Sequence, residues 1–280
     1  MTVRAYAKIN LGLRILRKRE DGYHDIETVF HRINLFDELE FESAESLSMT
    51  CNSADLPVDE RNLCMKAASL MRRRYVVRNG VHITLRKNIP IGAGLGGGSS
   101  DAATALLSLA RLWELKIKDD EMRSLAVQLG SDVPYFLRNG TAHATGRGET
   151  LDYFDLRLPY WIVVVFPKVS ISTSWAYANA RIPNRPATAS LINVLVESVD
   201  DPRKLTDLLH NDFESLVLHS HPVIDEVRRE LLDSSAKFVQ MSGSGSSVYG
   251  LFANGDIARD VASGLNKRFQ VFITPPLFCP

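Results

Sequence analysis

The amino-acid sequence predicts two closely joined domains that mix strands with helices. Two observations predict it. The chain has 280 residues, and domains typically run about 100 to 200, so one large core or two modest ones fit. Extended, β-branched runs and helical patterns also follow one another without an internal repeat or a low-complexity linker. A boundary is expected near Thr150, between the Gly146-Arg147-Gly148 turn and the apolar run at Trp161, dividing the chain into residues 1–150 and 151–280.

Val3 to Leu16 is apolar and β-branched and reads as a strand. Its polar interruptions, Lys8 and Asn10, fall on one side because strand side chains alternate faces. Asp21-Gly22 signals a turn, and a second extended run passes through Ile26, Val29, Ile33 and Leu35. Asn62 to Tyr75 reads as a helix, Val81 to Leu85 as a strand, and Asp101 to Trp113 as a helix rich in Ala and Leu. Asp119 or Asp120 caps a further helix that Gly130 ends. Ser131-Asp132-Val133-Pro134 then forms a short constrained loop. Trp161 to Phe166 is a buried strand and Pro183 to Pro186 a loop. Helical patterns follow at Leu205 to Leu218 and Val223 to Leu232, and a last strand pair flanks Ser242 to Ser247.

Hydrophobic residues make up 45% and charged residues 24%, too apolar a balance for a disordered chain. Basic and acidic residues both number 33, so no global field draws the chain to nucleic acid or an anionic membrane. The runs Arg17-Lys18-Arg19 and Arg72-Arg73-Arg74 read as solvated surface. Cys51, Cys64 and Cys279 are scattered, which supports neither a disulfide framework nor a zinc knuckle. Reduced thiols suit a cytoplasmic address. His219-x-His221 lacks metal-ligand spacing, so no protein metal site is expected. The N-terminus carries Arg4 and Lys8 without an apolar leader, and no apolar run reaches the ~18 residues of a bilayer span.

The densest signal is the segment from Pro90 to Ser100. Gly92, Gly94, Gly96, Gly97 and Gly98 fall within seven residues, and Ser99 and Ser100 lead into a helix. Without Cβ atoms the backbone can turn left-handed and bring successive N–H groups onto an anion. The helix that follows adds its unpaired N–H groups and the positive end of its dipole. A Walker loop would need Lys where Ser99 stands. The string Gly92-x-Gly94-x-x-Gly97 matches a dinucleotide fingerprint but does not follow the first strand of a βαβ unit, so it reads as accidental. A turn used only for tight packing would carry the backbone entropy of five glycines, roughly 0.5 to 1 kcal/mol each. Binding phosphate justifies that cost better.

The run Pro90-Ile91-Gly92-Ala93-Gly94-Leu95-Gly96-Gly97-Gly98-Ser99-Ser100-Asp101-Ala102-Ala103 resembles the phosphate-loop signature of the GHMP kinases. Ala7-Lys8-Ile9-Asn10-Leu11, Asp21-Gly22-Tyr23-His24 and Gly130-Ser131-Asp132-Val133-Pro134-Tyr135-Phe136 resemble the branch of that family that acts on a cytidine diphosphate alcohol for isoprenoid synthesis. Similarity extends through Gly140 to Glu149, Asn211-Asp212-Phe213-Glu214 and Ser242-Gly243-Ser244-Gly245, and so covers nearly the whole chain. It implies an α+β, two-domain GHMP kinase fold, with an ATP-binding domain over 1–150, a C-terminal kinase domain over 151–280, and the active site in the cleft between them. ATP is the implied co-substrate, held by Pro90, Gly92, Gly94, Leu95, Gly96, Gly97, Gly98, Ser99 and Ser100. Mg²⁺ is expected to bridge its phosphates, mostly on substrate oxygens; Ser99 or Ser100 is the protein hydroxyl within reach. The implied partner is a small molecule, with no nucleic acid, no membrane and a weak homodimer at most.

The resemblance implies γ-phosphoryl transfer to the 2-hydroxyl of a cytidine-diphosphate-linked methylerythritol. A tertiary alcohol, with a pKa near or above ~15.7, cannot be ionised beforehand by a carboxylate whose acid lies near ~3.9. Asp132 as general base would take the proton while the loose in-line transition state forms. Lys8 would neutralise charge on the transferring group and hold Asp132; the competing reading is a buried ion pair without a task. Asn10 binds substrate beside Lys8. His24 reads the cytosine, Tyr23 sits beside it, and Tyr177 offers an opposing stacking face, each set against ordinary packing. Thr173 hydrogen-bonds substrate. Ser242 and Gly243 bring backbone amides to its diphosphate, unless they only make a tight turn.

Other readings stay open. A GHMP kinase for mevalonate, homoserine or a sugar would share the phosphate turn but not Gly22-Tyr23-His24. A silent binding protein on the same scaffold would not need Lys8 and Asp132. A nicotinamide oxidoreductase rests on the accidental glycine string alone.

Overall fold

A computed structural model of the chain describes residues 1–182 and 189–280, so the loop expected at Pro183 to Pro186 lies outside the described residues. In chain order the elements are β1 (Thr2–Lys18), β2 (His24–Ala44), β3 (Leu47–Cys51), α1 (Leu63–Arg74), β4 (Gly80–Arg86), α2 (Gly97–Leu112) and α3 (Asp119–Leu129). A 3₁₀ turn (Val133–Leu137), β5 (Thr141–Thr145), β6 (Thr150–Phe154), β7 (Trp161–Phe166), α4 (Thr173–Asn179), α5 (Leu191–Ser198), α6 (Pro202–Leu208) and α7 (Glu214–Ser220) follow. The order ends with α8 (Pro222–Asp233), β8 (Phe238–Met241), β9 (Val248–Phe252), α9 (Gly255–Leu265) and β10 (Gln270–Thr274). The chain divides into two compact units: Met1–Ala7, Phe36–Ile89 and Gly96–Asn139 form the first, and Lys8–Leu35, Pro90–Leu95 and Gly140–Pro280 the second.

In the first unit, Glu38 to Ala44 of β2 pairs antiparallel with β4, and β3 pairs parallel with β4. Alternation along β4 buries Val81, Ile83 and Leu85. Helices α1 and α2 pack on each other. Ala67, Ala68, Ala102, Ala103 and Ala105 are fully buried, and such small side chains let helix backbones approach closely. Asn62 caps α1 by accepting from the Cys64 N–H at 2.9 Å. Three acidic residues in the first turn of α3, Asp119, Asp120 and Glu121, complement its dipole.

In the second unit, β10, β7, β9 and β8 form an antiparallel sheet in that order. Strand β7 reads Trp-Ile-Val-Val-Val-Phe, and all but Trp161 is buried, as expected for a sheet interior strand covered on both faces. Phe213, Val217, Ile224, Val227, Leu231, Ala258 and Leu265 from the following helices close over Val163, Val165, Val248 and Phe252. On the N-terminal part of β2, Thr28 to Phe30 pairs with β5, which pairs with β6.

Several boundaries differ from expectation. Helix α2 starts at Gly97 rather than Asp101, so the serines lie inside its first turn; glycines lower helix propensity, but here the N-terminus is held by tertiary contacts. The cap of α3 is Lys118, not Asp119 or Asp120, which occupy the first turn. The stretch expected as a loop around Asp132 is the N-terminus of the 3₁₀ turn, with Pro134 in its first positions, where the missing N–H costs nothing. The pattern from Leu205 to Leu218 breaks into α6 and α7 at Leu209 to Phe213. The pair β8 and β9 does flank Ser242 to Ser247, but α9 and β10 follow it. All three cysteines are free thiols.

One buried carboxylate orders the second unit. Arg14 Nη1 donates to Glu27 Oε2 at 3.0 Å. Glu27 Oε1 accepts from Ser190 Oγ at 2.9 Å and from the Leu191 N–H at 2.8 Å, and lies 3.0 Å from His143 Nε2. Burial pushes this carboxyl up, but the bonds from His143, Leu191 and Ser190 and the charge of Arg14 outweigh it and hold the pKa at about 2. Glu27 thus caps the start of α5 from β2. A depressed pKa adds stability above the unfolded value and loses it as pH falls through the folded one. We expect Glu27→Gln to lower unfolding free energy at pH 7 by about 2 kcal/mol. Urea denaturation should show that gap closing from pH 4.5 towards 2; a gap constant over that range would contradict the assignment.

Candidate active site

The glycine turn divides at Leu95. Pro90 to Leu95 belongs to the second unit and Gly96 onward to the first. In the second unit Gly92 and Gly94 have φ of +66° and +75°. A Cβ on Gly94 would lie 2.1 Å from the Ser242 carbonyl oxygen and 2.9 Å from that of Gly245, so no side chain fits. The turn's own carbonyls are clamped: Ile171 N–H donates to Gly92 O at 3.1 Å, Ser247 N–H to Ala93 O at 3.1 Å, Ser242 Oγ to Gly94 O at 2.9 Å and Lys8 N–H to Leu95 O at 3.0 Å. With carbonyls turned to protein partners, the alternating left-handed geometry suits N–H groups presented to an anion.

In the first unit Gly96, at φ +70°, stands as the N-cap of α2 with no side-chain cap bond. The backbone N–H groups of the first helical turn have no intrahelical acceptor, and the helix dipole favours a negative ligand there. A Cβ on Gly98 would meet only Leu63 Cδ1, at 3.7 Å. Ser99 is half-buried. Ser100 is 1% exposed and donates its hydroxyl to Tyr6 O at 2.7 Å, which leaves Ser99 as the better hydroxyl for phosphate or metal.

Lys8 and Asn10 lie on β1 in the second unit, 4% and 2% exposed. Lys8 Nζ donates to Asn10 Oδ1 at 2.6 Å, and the ammonium stands 4.8 Å from the Phe30 ring centroid. Asn10 Nδ2 donates to Thr28 Oγ1 at 2.8 Å, whose hydroxyl donates to Gly12 O at 2.6 Å. Asn10 is fastened through its backbone too, donating N–H to Ser242 Oγ at 3.2 Å and accepting at its carbonyl from Tyr249 OH at 3.0 Å. Period-two alternation therefore delivers a buried lysine whose head group is oriented by a locked asparagine.

Asp132 lies in the first unit as the N-cap of the 3₁₀ turn, half-buried, at φ −83° and ψ −16°. The buried Val133, Pro134, Tyr135 and Phe136 root it, and α2 packs against this turn. One helix thus begins at the glycine turn and supports the aspartate.

The aromatic candidates gather in the second unit. His24 and Tyr177 stack on each other, with centroids 5.0 Å apart and planes inclined by 19°, and Tyr177 stands edge-on to Phe213 at 4.9 Å. A base would not fit between rings so close, so in this arrangement it would stack on an outer face. Burial, with a smaller contribution from Lys18, lowers the His24 pKa; a neutral imidazole keeps one donor and one acceptor nitrogen. Tyr23 is 54% exposed, with the Arg147 guanidinium 4.7 Å from its ring centroid. Thr173, the first residue of α4, has its Oγ1 3.1 Å from Ser244 Oγ.

Ser242 is fully buried, and its hydroxyl is spent on Gly94 O and the Asn10 N–H. Gly243, at φ +58°, leaves room for Asn10 Oδ1, 3.1 Å from its Cβ position. Asn211 supports this turn by donating from Nδ2 to Met241 O and Gly243 O, both at 2.8 Å. Sequence reasoning noted Asn211 only as part of a matching segment and gave it no role; nothing local predicts so distant a contact. A cavity of about 310 Å³ lined by His31, Thr141, Phe154 and Phe278, among others, includes none of the predicted site residues. Among the described residues no group of three or more His, Cys, Asp or Glu could hold a metal, and no helix is long and apolar enough to cross a membrane.

Comparison with known proteins defines the class. Residues 62–140 match the GHMP kinase N-terminal domain and residues 192–271 the GHMP kinase C-terminal domain. The chain belongs to the GHMP kinase family. It is 46% identical to 4-diphosphocytidyl-2-C-methyl-D-erythritol kinase of Chlorobaculum parvum, over 99% of this chain and 98% of that one. A crystal structure of 4-(cytidine 5'-diphospho)-2C-methyl-D-erythritol kinase superimposes with a TM-score of 0.85 at 35% identity, covering 99% of this chain and 100% of the other. The homoserine kinase of Cytophaga hutchinsonii shares the fold, with a TM-score of 0.69 at 17% identity over 99% of this chain and 95% of its own. The resemblance read from the motifs, and the mixed helix-and-sheet kinase fold it implies, therefore hold.

Two glycines separate packing from ligand approach. Gly94→Ala should cost about 2 to 4 kcal/mol of stability through the backbone clash and the positive φ. Gly98→Ala should keep or slightly raise the melting temperature, since it places Ala in an open helical position. A fall in nucleotide affinity for Gly98→Ala without a fall in melting temperature would report close ligand approach. Equal destabilisation by both would contradict the division of roles.

Proposed function

We propose that the chain transfers the γ-phosphoryl group of ATP to the 2-hydroxyl of 4-diphosphocytidyl-2-C-methyl-D-erythritol, giving the 2-phosphate and ADP, in the non-mevalonate route to isoprenoid precursors. The observation that carries this reading is the 46% identity to a kinase of that name along 99% of the chain. The triphosphate lies along Gly92 to Ser99, on N–H groups of the turn and of the start of α2. In sequence terms, residues 1–150 supply the ATP-binding part and residues 151–280 the C-terminal kinase part. Three free thiols suit a cytoplasmic address.

Asp132 accepts the proton of the attacking hydroxyl as the bond to phosphorus forms, which avoids a free alkoxide. Lys8, oriented by Asn10, stabilises negative charge on the transferring group. A neutral His24 reads the cytosine edge, and Tyr177 supplies a stacking face. Ser242 and Gly243 act by holding Asn10 and Gly94 in place as well as by presenting amides. The Ser99 hydroxyl, together with substrate oxygens, would hold Mg²⁺, a donor set that fits a small hard cation, and the cation would supply neutralisation of phosphate charge.

Three measurements test this. An acceptor panel should show turnover of the cytidine diphosphate alcohol and negligible turnover of mevalonate and homoserine; equal rates would refute the substrate assignment. Asp132→Asn should bind ATP and acceptor normally while kcat falls by about 10² to 10⁴, and an unchanged kcat would remove Asp132 from the base role. Tyr177→Ala should raise the acceptor KM by about tenfold while leaving the KM for ATP within about twofold.

A further inference from the structure

The Lys8 ammonium heads a one-way chain of hydrogen bonds whose far members have no part in the proposed chemistry. Alternation sets Lys8 and Asn10 on one face of β1, and Thr28 and Phe30 on one face of β2, the strand paired with it. Lys8 Nζ donates to Asn10 Oδ1 at 2.6 Å, Asn10 Nδ2 to Thr28 Oγ1 at 2.8 Å, and Thr28 Oγ1 to Gly12 O at 2.6 Å. Lys8, Asn10 and Thr28 are all buried, Thr28 completely, so the chain runs through the protein interior.

We propose that Thr28 is a positioning residue for phosphoryl transfer: its hydroxyl fixes which way the Asn10 amide faces, and through Asn10 it aims the Lys8 ammonium. This inference rests on the reading of Lys8 as the group that stabilises charge on the transferring phosphoryl. A hydroxyl has a single proton to donate. With that proton given to Gly12 O, Thr28 Oγ1 can only accept from Asn10, and only the Nδ2 end of the amide can donate to it. Oδ1 is thereby turned to the ammonium, which carries donors alone. The reverse orientation would set Nδ2 against the ammonium, donor facing donor, and leave Oδ1 against a hydroxyl whose proton is committed elsewhere.

Both ends of the chain are held by backbone. Gly12, at φ +75°, donates its N–H to Gln240 Oε1 at 2.8 Å, and a Cβ there would lie 3.1 Å from Leu191 Cδ2. At the other end, a Cβ on Gly243 would lie 3.1 Å from Asn10 Oδ1. The Thr28 hydroxyl is not needed to hold its own strand, because Thr28 pairs with Ala144 of β5 through the sheet register, and valine, also β-branched, suits a strand as well. Valine would leave Asn10 Nδ2 and Gly12 O without their partner in an interior where polar groups stay paired. The amide would then turn towards another acceptor and take Oδ1 away from Lys8. A catalytic group displaced by about 1 Å loses much of its effect on the transition state.

The test deletes the hydroxyl at two side-chain sizes in the full-length protein and reads steady-state kinetics and melting temperature. Thr28→Val against the wild type, and Thr28→Ala against Thr28→Ser, should each lower kcat by about 10- to 100-fold, with the KM values for ATP and acceptor within about threefold. Thr28→Ser, which keeps the hydroxyl, should keep kcat close to the wild type. A purely structural hydroxyl would lower the melting temperature and leave kcat per folded molecule equal within each pair, which would overturn the proposal. A raised acceptor KM with unchanged kcat would overturn it too, by placing the hydroxyl's effect on binding. If Thr28→Val does not fold, the Thr28→Ala and Thr28→Ser pair decides. Because Lys8 acts on the transferring group, the comparison runs with whichever acceptor the wild type phosphorylates, so an error in the acceptor assignment leaves this test intact. A folded wild type that phosphorylates no acceptor would overturn the reading of Lys8, and this inference with it.

Discussion

The Ser242 carbonyl occupies the space that a side chain on Gly94 would need, 2.1 Å from its Cβ position, and the second unit is organised around that exclusion. Only a backbone without a Cβ can come so close to another backbone. The approach lets Ser242 Oγ reach Gly94 O on one side and the Asn10 N–H on the other. Asn10 in turn receives the Lys8 ammonium. The glycine turn and the lysine strand thus share one buried hydroxyl, and a shift in either would be felt by the other.

Buried charge is the second constraint. Lys8, Glu27 and Lys87 are each removed from water, where desolvation costs several kcal/mol per ion, and each is met by placed donors or acceptors. Glu27 is satisfied by four partners and caps α5, a structural use that needs no ligand. Lys87 is matched by two carboxylates, one with an unsatisfied oxygen.

Much of the fold was legible where local chemistry is strong. Helix α1 and strand β7 fall within a residue of expectation because Asn62 is a good cap and because Trp161 to Phe166 is bounded and uniformly apolar. The short strands β3, β5, β6 and β10 and helices α5 and α9 were not identified. Strands of five residues such as Thr141–Thr145 have too few alternating positions to stand out, and α5 takes its start from Glu27, far away in sequence. The interleaving of the two units along the chain, with Lys8 and Ala7 on different sides of a division, has no compositional mark.

The sequence by itself determined the chemical inventory: a glycine-rich turn, a lysine and an asparagine on one strand face, an aspartate two residues ahead of a proline, and a tyrosine-histidine pair after a turn. Each is a matter of residue type and short spacing, which local steric and hydrogen-bonding rules govern. Tertiary structure alone decided how those groups are used. It assigned the Ser100 hydroxyl to Tyr6 O, buried Ser242, stacked His24 on Tyr177 and set Lys87 under Gly97. These outcomes depend on partners up to 232 residues apart, as for Asn10 and Ser242, and only packing brings such partners within hydrogen-bond range.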